Sequence, residues 1–387
     1  MRAALTVLAL VSGMEAAGAM GACPKVREAG EPLPGLTPEQ LASFNAGKVI
    51  FEQEFEPENG LGPLFNANAC KECHEEPATG GDGEETETHA AVVRADGSCD
   101  MLAAHGGPVF QAHTTPALKQ ALGIDSEPIP AEATVHAKRT SPDIFGFGLL
   151  DAVPDREILD YADPNDRDHD GVSGRPNYQP DGQLGRFGRK AAVAHLGPFN
   201  AGAFVIEMGI TSPAQPNEES IGGAAIPPGA DPTPEPELSA EALASVVDFV
   251  RFLAPPPQLA LTYRGERGRG EFRAMGCASC HRPALVTGQN RVRALDRRVV
   301  VAYTDLLLHD MGASRADICL GQASPSEFRT EPLMGLRFVK QLMHDGAAST
   351  IEQAIELHDG EAARARESFA RASPAAREAL LEFLRSL

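Results

Sequence analysis

Two five-residue stretches, Cys70-Lys71-Glu72-Cys73-His74 and Cys277-Ala278-Ser279-Cys280-His281, repeat one pattern far apart in the chain. The pattern is demanding. Two thiols separated by two residues match the two vinyl groups of a porphyrin edge. The His that follows then lies under the iron and supplies an imidazole. A redox disulfide or half of a zinc site would use the thiols but would not require a His after each pair. Two such motifs in one chain therefore predict two covalent haems of the c type. Cys70, Cys73 and His74 would hold the first, and Cys277, Cys280 and His281 the second. A chain so constrained must build two separate helical cradles.

Covalent haem attachment implies a compartment outside the cytoplasm, and the first residues agree. MRAALTVLALVSGMEAAGAMGAC has a basic start, a short apolar run and small residues before a cut, the pattern of a secretory signal. Residues 1–22 are read as that signal. Cleavage after Ala19 would release a soluble protein, whereas lipidation of Cys23 would anchor it to a membrane. The expected location is the periplasm or beyond. No later apolar run reaches the ~18 residues of a membrane span. The chain has 54 acidic and 34 basic residues, a net charge of −20, no Trp and four Tyr. That balance excludes a nucleic-acid binder and favours basic or cationic partners.

Each motif sits in a similar setting. Gly47 precedes Phe51 by four residues and Gly268 precedes Phe272 by four, upstream of each Cys pair. Amphipathic stretches close each half, at 239–253 and 373–387. Each opens with a Ser suited to cap a helix. The expected fold is mainly α: two cytochrome c-like domains with long irregular loops, one haem each. The boundaries are 23–254 and 255–387, with Pro255, Pro256 and Pro257 as the joint. Two insertions lengthen the first domain. Residues 211–237 are Pro-rich and aperiodic, expected as a surface arm. In 163–177, Asp166, Asp168 and Asp170 alternate before Gly171, the opening of a calcium loop. Its twelfth position is Asn177 rather than Glu. Cys99 and Cys319 remain as a pair that an oxidising compartment would allow to join.

A second axial ligand decides whether a haem only passes electrons or also binds peroxide or oxygen. The second domain offers His309, Met311, Met334, Met343, His344 and His358, and the residues alone leave that choice open.

The chain resembles the di-haem oxidoreductase family within the bacterial di-haem cytochrome c peroxidase superfamily. The resemblance runs from about Leu36 to Leu387. It is carried by GLGPLFNANACKECH (60–74), FGFGLLDAVP (145–154), ADPNDRDHDGVSGRPN (162–177), GRFGRKA (185–191), EMGITSP (207–213), YTDLLLHDMG (303–312), EFRTEPLMGL (327–336) and MHDGAASTIEQAIELHDGEA (343–362). It implies an enzyme that reduces hydrogen peroxide at the N-terminal haem, with electrons from a small redox protein relayed through the C-terminal one. A related activity is peroxide-dependent oxidation of a residue on a partner protein. A third class is a di-haem electron-transfer module without catalysis. In the peroxidases, an HDG-type segment precedes the second haem's distal ligand by fourteen residues. Counting from His344 gives His358, with Met343 as the alternative. Family members also place a carboxylate at the position of Glu207, where an apolar flank would raise its pKa for acid–base work. His195 is a second distal candidate, and His89 lies near where peroxidases keep a switchable ligand. Related enzymes carry a Trp between the haems, and this chain has none.

Overall fold

The computed structural model describes residues 28–387, so the signal stretch and Cys23 lie outside the described residues. The described residues form eleven α-helices and ten short strands. The first part runs α1 (Pro38–Phe51), β1 (Leu64–Phe65), α2 (Cys70–Cys73), β2 (Thr86–Val93), β3 (Cys99–Asp100), β4 (Val109–Phe110), β5 (His113–Thr114), α3 (Pro116–Leu122) and β6 (Val135–Thr140). It continues through α4 (Phe147–Asp151), α5 (Asp155–Leu159), α6 (Leu196–Met208) and α7 (Ala240–Phe252). The second has α8 (Tyr263–Ala274), β7 (Leu285–Val286), β8 (Val299–Val300), β9 (Leu308–Asp310), β10 (Glu327–Arg329), α9 (Ile351–Leu357), α10 (Ala363–Arg371) and α11 (Pro374–Leu384).

One local device occurs twice. Helix α1 starts under a Thr37–Gln40 capping box with Pro38 in its first turn, which satisfies its free amides. It crosses α7 at Gly47, where a Cβ would collide with the Ser245 carbonyl and the Phe249 Cβ. Helix α8 crosses α11 at Gly268, where a Cβ would collide with the Ala379 carbonyl and the Phe383 Cβ. Only glycine permits backbones to approach so closely. Below each crossing a Phe packs on the closing helix: Phe51 on Phe249 at 5.0 Å and Phe272 on Phe383 at 5.5 Å between centroids. The same two rings lie beside the motif histidines, Phe51 at 5.9 Å from His74 and Phe272 at 6.5 Å from His281. The Gly-x-x-x-Phe pattern thus fixes a helix crossing and a haem-side ring together. Both closing helices carry the expected Ser caps, Ser239 and Ser373.

The larger core draws on both halves of the sequence. Leu285, Leu295, Val300, Leu306 and Leu307 are buried with Phe147, Phe187, Phe204 and Phe249. The β7–β8 hairpin, which follows the second motif, therefore belongs to the core around α4, α6 and α7. A smaller core gathers Phe272, Tyr303, Phe369, Leu380 and Phe383.

The sheet on β2 was not foreseen from sequence. β2 pairs antiparallel with β6, β4 and β3. Its two-residue period sets Glu87 and His89 on one face. The Pro-rich segment lies at the surface as expected, with residues 213–229 exposed or half-buried, but its ends are held. Thr211 and Ser212 are fully buried, and Ala230 packs with Leu64 and Leu118, so the segment is strapped down by its own apolar contact.

Cys99 on β3 and Cys319 form a disulfide. Close by, Asp317 receives Arg139 at 2.7 Å and the fully buried Lys190 at 2.9 Å. These ties bind the β2 sheet to the 313–323 loop. Replacing both cysteines by Ser is expected to lower unfolding stability by about 2–4 kcal/mol, read as a lower denaturant midpoint. An unchanged midpoint would show that the bond carries no stability.

Candidate haem sites and their surroundings

The second motif opens on a cavity of about 390 Å³, within the size range of small-molecule and cofactor pockets. Its walls include Cys277, Cys280, His281 and, from the end of α9, His358. The two imidazoles face each other with ring centroids 6.5 Å apart. His281 Nδ1 donates to the Tyr303 carbonyl at 2.9 Å and His358 Nδ1 donates to the Ala354 carbonyl at 2.7 Å. A carbonyl only accepts, so Nδ1 carries the proton in both rings and Nε2 keeps its lone pair. Burial, then the neighbouring His358, pulls His281 down to about 4; burial also lowers His358. Both rings are neutral at physiological pH. Metal–nitrogen bonds of about 2 Å on either side of one ion bring two imidazole centroids to roughly 6–6.5 Å. The spacing and tautomers fit an iron held between two imidazoles.

The other candidates stand differently. His309 is 3% exposed and engaged on both nitrogens, at 2.9 Å from Asp305 and 2.7 Å from Glu361. Burial alone would lower its pKa, but Asp305, Cys280 and Glu361 together hold it well above the usual range, and an imidazolium cannot bind a metal. His344 stacks on Phe328 at 4.0 Å. Met334 is 6% exposed and packed in the larger core.

The first motif borders a cavity of about 80 Å³ in which Cys70, Cys73, His74, Phe199, Phe204 and Glu207 meet. His74 Nδ1 lies 3.2 Å from the Gly81 carbonyl, and the Pro142 carbonyl is a second backbone partner of the ring. The donor set fits the same cofactor, although a macrocycle needs more room than this packing leaves. Cys70, Cys73, Cys277 and Cys280 are all unpaired. Burial pushes Cys70, Cys73 and Cys277 up to about 12, as suits thiols facing an apolar partner.

Glu207 sits in the last turn of α6. Its carboxylate accepts from Asn66 Nδ2 at 2.8 Å and lies within hydrogen-bonding reach of Glu87 on β2. His89 Nε2 backs Glu87 at 2.8 Å. Burial, then the Glu87 charge, holds Glu207 well above the carboxylate range. Burial also works to raise Glu87, but His89, Arg139 and Arg189 outweigh it and lower its pKa. The pair therefore keeps one proton. Glu87 carries no local signal in the sequence, because its partner comes from a distant helix. Ser141, just after β6, lines both cavities.

His195 does not join this group. It stands at the opposite end of α6, its side chain 53% exposed and 3.0 Å from Asp151, and it lines neither cavity. Helix length separates it from Glu207. Asp166, Asp168 and Asp170 converge to within 4.8 Å of one another. Their side chains also cap the loop, accepting from the Gly171, Asp170 and Val172 amides. Asn177 turns away into the interior and donates to the Lys190 carbonyl at 2.7 Å. A second acidic group, Glu218, Asp231, Glu235 and Glu237, has the same spread. Burial and mutual repulsion push Glu218 there to about 9.

The sequence model described as "Di-haem oxidoreductase, putative peroxidase" matches residues 117–387. The chain belongs to this di-haem oxidoreductase family, and is an oxidoreductase enzyme with two haem cofactors. The match includes Glu207, the second motif and His358 and begins after the first motif. Three solved structures are similar at low identity. Hydrazine synthase of Kuenenia stuttgartiensis is 13% identical, with 99% of this chain and 100% of that chain covered and a TM-score of 0.37. A MauG-like protein associated with microbial copper homeostasis is 14% identical, with 94% of each chain covered and a TM-score of 0.41. The diheme peroxidase BthA from Burkholderia thailandensis E264 is 14% identical, with 89% of this chain and 86% of that chain covered and a TM-score of 0.42. No curated protein matches. Among the described residues, no helix is long and apolar enough to cross a membrane.

Proposed function

We propose that this chain is an exported c-type enzyme that reduces hydrogen peroxide at its N-terminal site. The observation that carries the reading is the asymmetry of the two sites. At the C-terminal site two neutral imidazoles oppose each other at 6.5 Å. At the N-terminal site the group set into the cavity beside His74 is a carboxyl pair holding one proton. When bound, the two haems supply the redox chemistry, peroxide reduction at the first with electrons delivered through the second. His281 and His358 would hold the second iron and His74 the first, with thioether bonds from Cys70, Cys73, Cys277 and Cys280.

Cleaving peroxide to two waters takes two electrons and two protons, and the near oxygen must lose a proton that the far one gains. A carboxyl pair with one proton suits both halves. Ionised Glu87 accepts as protonated Glu207 donates, and Asn66 and His89 hold the pair in place. Apolar Phe199 and Phe204 keep water from competing.

A second reading has its own observation. Met208 lines the N-terminal cavity, and a thioether on that iron would close it, leaving an electron-transfer module. The resting optical and spin-resonance spectra separate the two: a high-spin first haem supports the enzyme, and two low-spin haems support the module. Export is supported by the Cys99–Cys319 disulfide, since such bonds persist in oxidising compartments. Mass spectrometry of protein matured with a haem-ligating system is expected to show two added haems. Added mass for one haem or none sinks the covalent reading. Calcium at Asp166, Asp168 and Asp170 belongs to the same proposal, and a chelator titration followed by metal analysis checks it.

A further inference from the structure

The net charge of −20 conceals a basic stretch of sequence beside the second motif, although Glu157 of α5 reaches its hairpin and accepts from the Val286 amide at 3.1 Å. Between residues 264 and 298 stand Arg264, Arg267, Arg269, Arg273, Arg282, Arg291, Arg293, Arg297 and Arg298, against Glu266, Glu271 and Asp296 alone. All of these arginines except Arg282 are exposed. Three have acidic neighbours: Arg264 pairs with Glu382, Arg269 with Glu266 and Arg297 with Asp296. Arg267, Arg273, Arg291, Arg293 and Arg298 have no ion-pair partner among the described residues. Bare apolar side chains lie in the same stretch. Val286 and Val299 are directly paired across β7 and β8 and are 42% and 68% exposed, and Val301 is 48% exposed. Valines in strand pairs normally cover a core, so this hairpin presents to solvent what a lone chain would hide.

The hairpin adjoins the second site through the backbone. Two residues beyond Val301 is Tyr303, whose carbonyl accepts from His281 Nδ1. Its ring is wedged edge-on between Phe272 and Phe383, and Arg269 and Arg273 act on its hydroxyl. Exposed valine, tyrosine backbone and imidazole form one short covalent and hydrogen-bonded connection to the motif.

We propose that this valine hairpin, with exposed Arg291, Arg293, Arg297 and Arg298 on the loop that joins its strands, is the docking surface for the electron donor, and that the donor is a soluble redox protein with an acidic face. The proposal rests on the reading that electrons enter at the C-terminal site. It reverses the partner sign that the whole-chain charge suggests. Complementary charge steers the encounter and its effect weakens with salt, while the valines supply the dry centre of the contact.

The holoprotein separates these signs. Two probes share one haem and one fold: reduced mitochondrial cytochrome c, which is basic, and the same protein with its lysines succinylated, which is acidic. The acidic form is expected to transfer electrons at least tenfold faster at low ionic strength, with a rate that falls as salt rises. The variant Arg291→Glu/Arg293→Glu/Arg298→Glu changes exposed side chains only. It is expected to lose at least tenfold with the acidic probe while hydroxymethylferrocene, a small uncharged donor, still supports the wild-type rate. A faster basic probe, a flat salt response or an unaffected variant overturns the surface. So does sedimentation showing that the patch instead joins two copies of this chain. If neither these donors nor a low-potential one supports peroxide turnover, the peroxidase reading fails. Calorimetric binding of the acidic probe, lost in the triple variant, then still decides the surface.

Discussion

Glu207→Gln is expected to lower the rate of the peroxide reaction by about 10²–10⁴-fold, the usual contribution of a positioned acid–base group. Gln is nearly isosteric. Its carbonyl oxygen can still accept from Asn66 Nδ2, which lies 2.8 Å from the native carboxylate, so the end of α6 and the strand that it holds should stay in place. What is lost is the shared proton. With the amide at 207, Glu87 faces a group that can neither give nor take one, and the near and far peroxide oxygens must exchange their proton through water. Stopped-flow mixing with peroxide measures the effect. Binding of peroxide should change little while the following step slows. Glu87→Gln gives the complementary test, because it removes the group that takes up the proton while its amide oxygen can still accept from His89 Nε2, 2.8 Å from the native carboxylate. If both variants react at the wild-type rate, acid–base work at this pair is excluded. His195→Ala should be silent, since that side chain is exposed at the far end of the helix.

The parts of this arrangement that were legible in the sequence are local ones. Each Cys-x-x-Cys-His is five residues long, and porphyrin geometry dictates it. The Ser caps at Ser239 and Ser373 and the helical spacing behind them are equally short-range, and α7 and α11 lie where they point. Gly47 and Gly268 were visible as a repeated pattern, but their reason was not. That reason is a carbonyl of the closing helix, supplied from Ser245 in one case and Ala379 in the other. Glu87 was invisible for the same cause. Its meaning comes from Glu207, His89 and Arg139, which only the β2–β6 pairing and α6 bring together. A whole-chain sum hides local arrangement: the protein is strongly acidic in total, yet a cluster of arginines falls between residues 264 and 298, on the helix and hairpin that flank the second motif. The Cys99–Cys319 bond could not be chosen from spacing, since two buried thiols and one disulfide look alike in a sequence.

Replacing His358 is expected to change the second haem and leave the first untouched. In His358→Ala the imidazole opposite His281 is gone; Met311 and Met343 line the same cavity, and a low-spin thioether-ligated signal in the variant would show that one of them has taken its place. His309 has both nitrogens committed to Asp305 and Glu361, and His344 is held flat against Phe328. Where neither methionine moves in, water is the available ligand. The optical and spin-resonance signals of the second haem should move from low-spin to high-spin or water-ligated, with those of the first unchanged. His344→Ala should produce no such shift. If His344→Ala does and His358→Ala does not, the ligand assignment is wrong. His358→Met extends the test to potential. A thioether stabilises reduced iron relative to a second imidazole, so the midpoint of that haem should rise. The native pair should therefore sit well below a His/Met haem. A high-potential cytochrome would be a poor donor to such a site, and an oxidised state spread over both haems would persist after peroxide is added. Slow oxidation of a specific partner fits that behaviour better than rapid scavenging. A midpoint in His358→Met equal to the wild type, or an oxidised state that decays within milliseconds without donor, would return the site to that of a fast peroxidase.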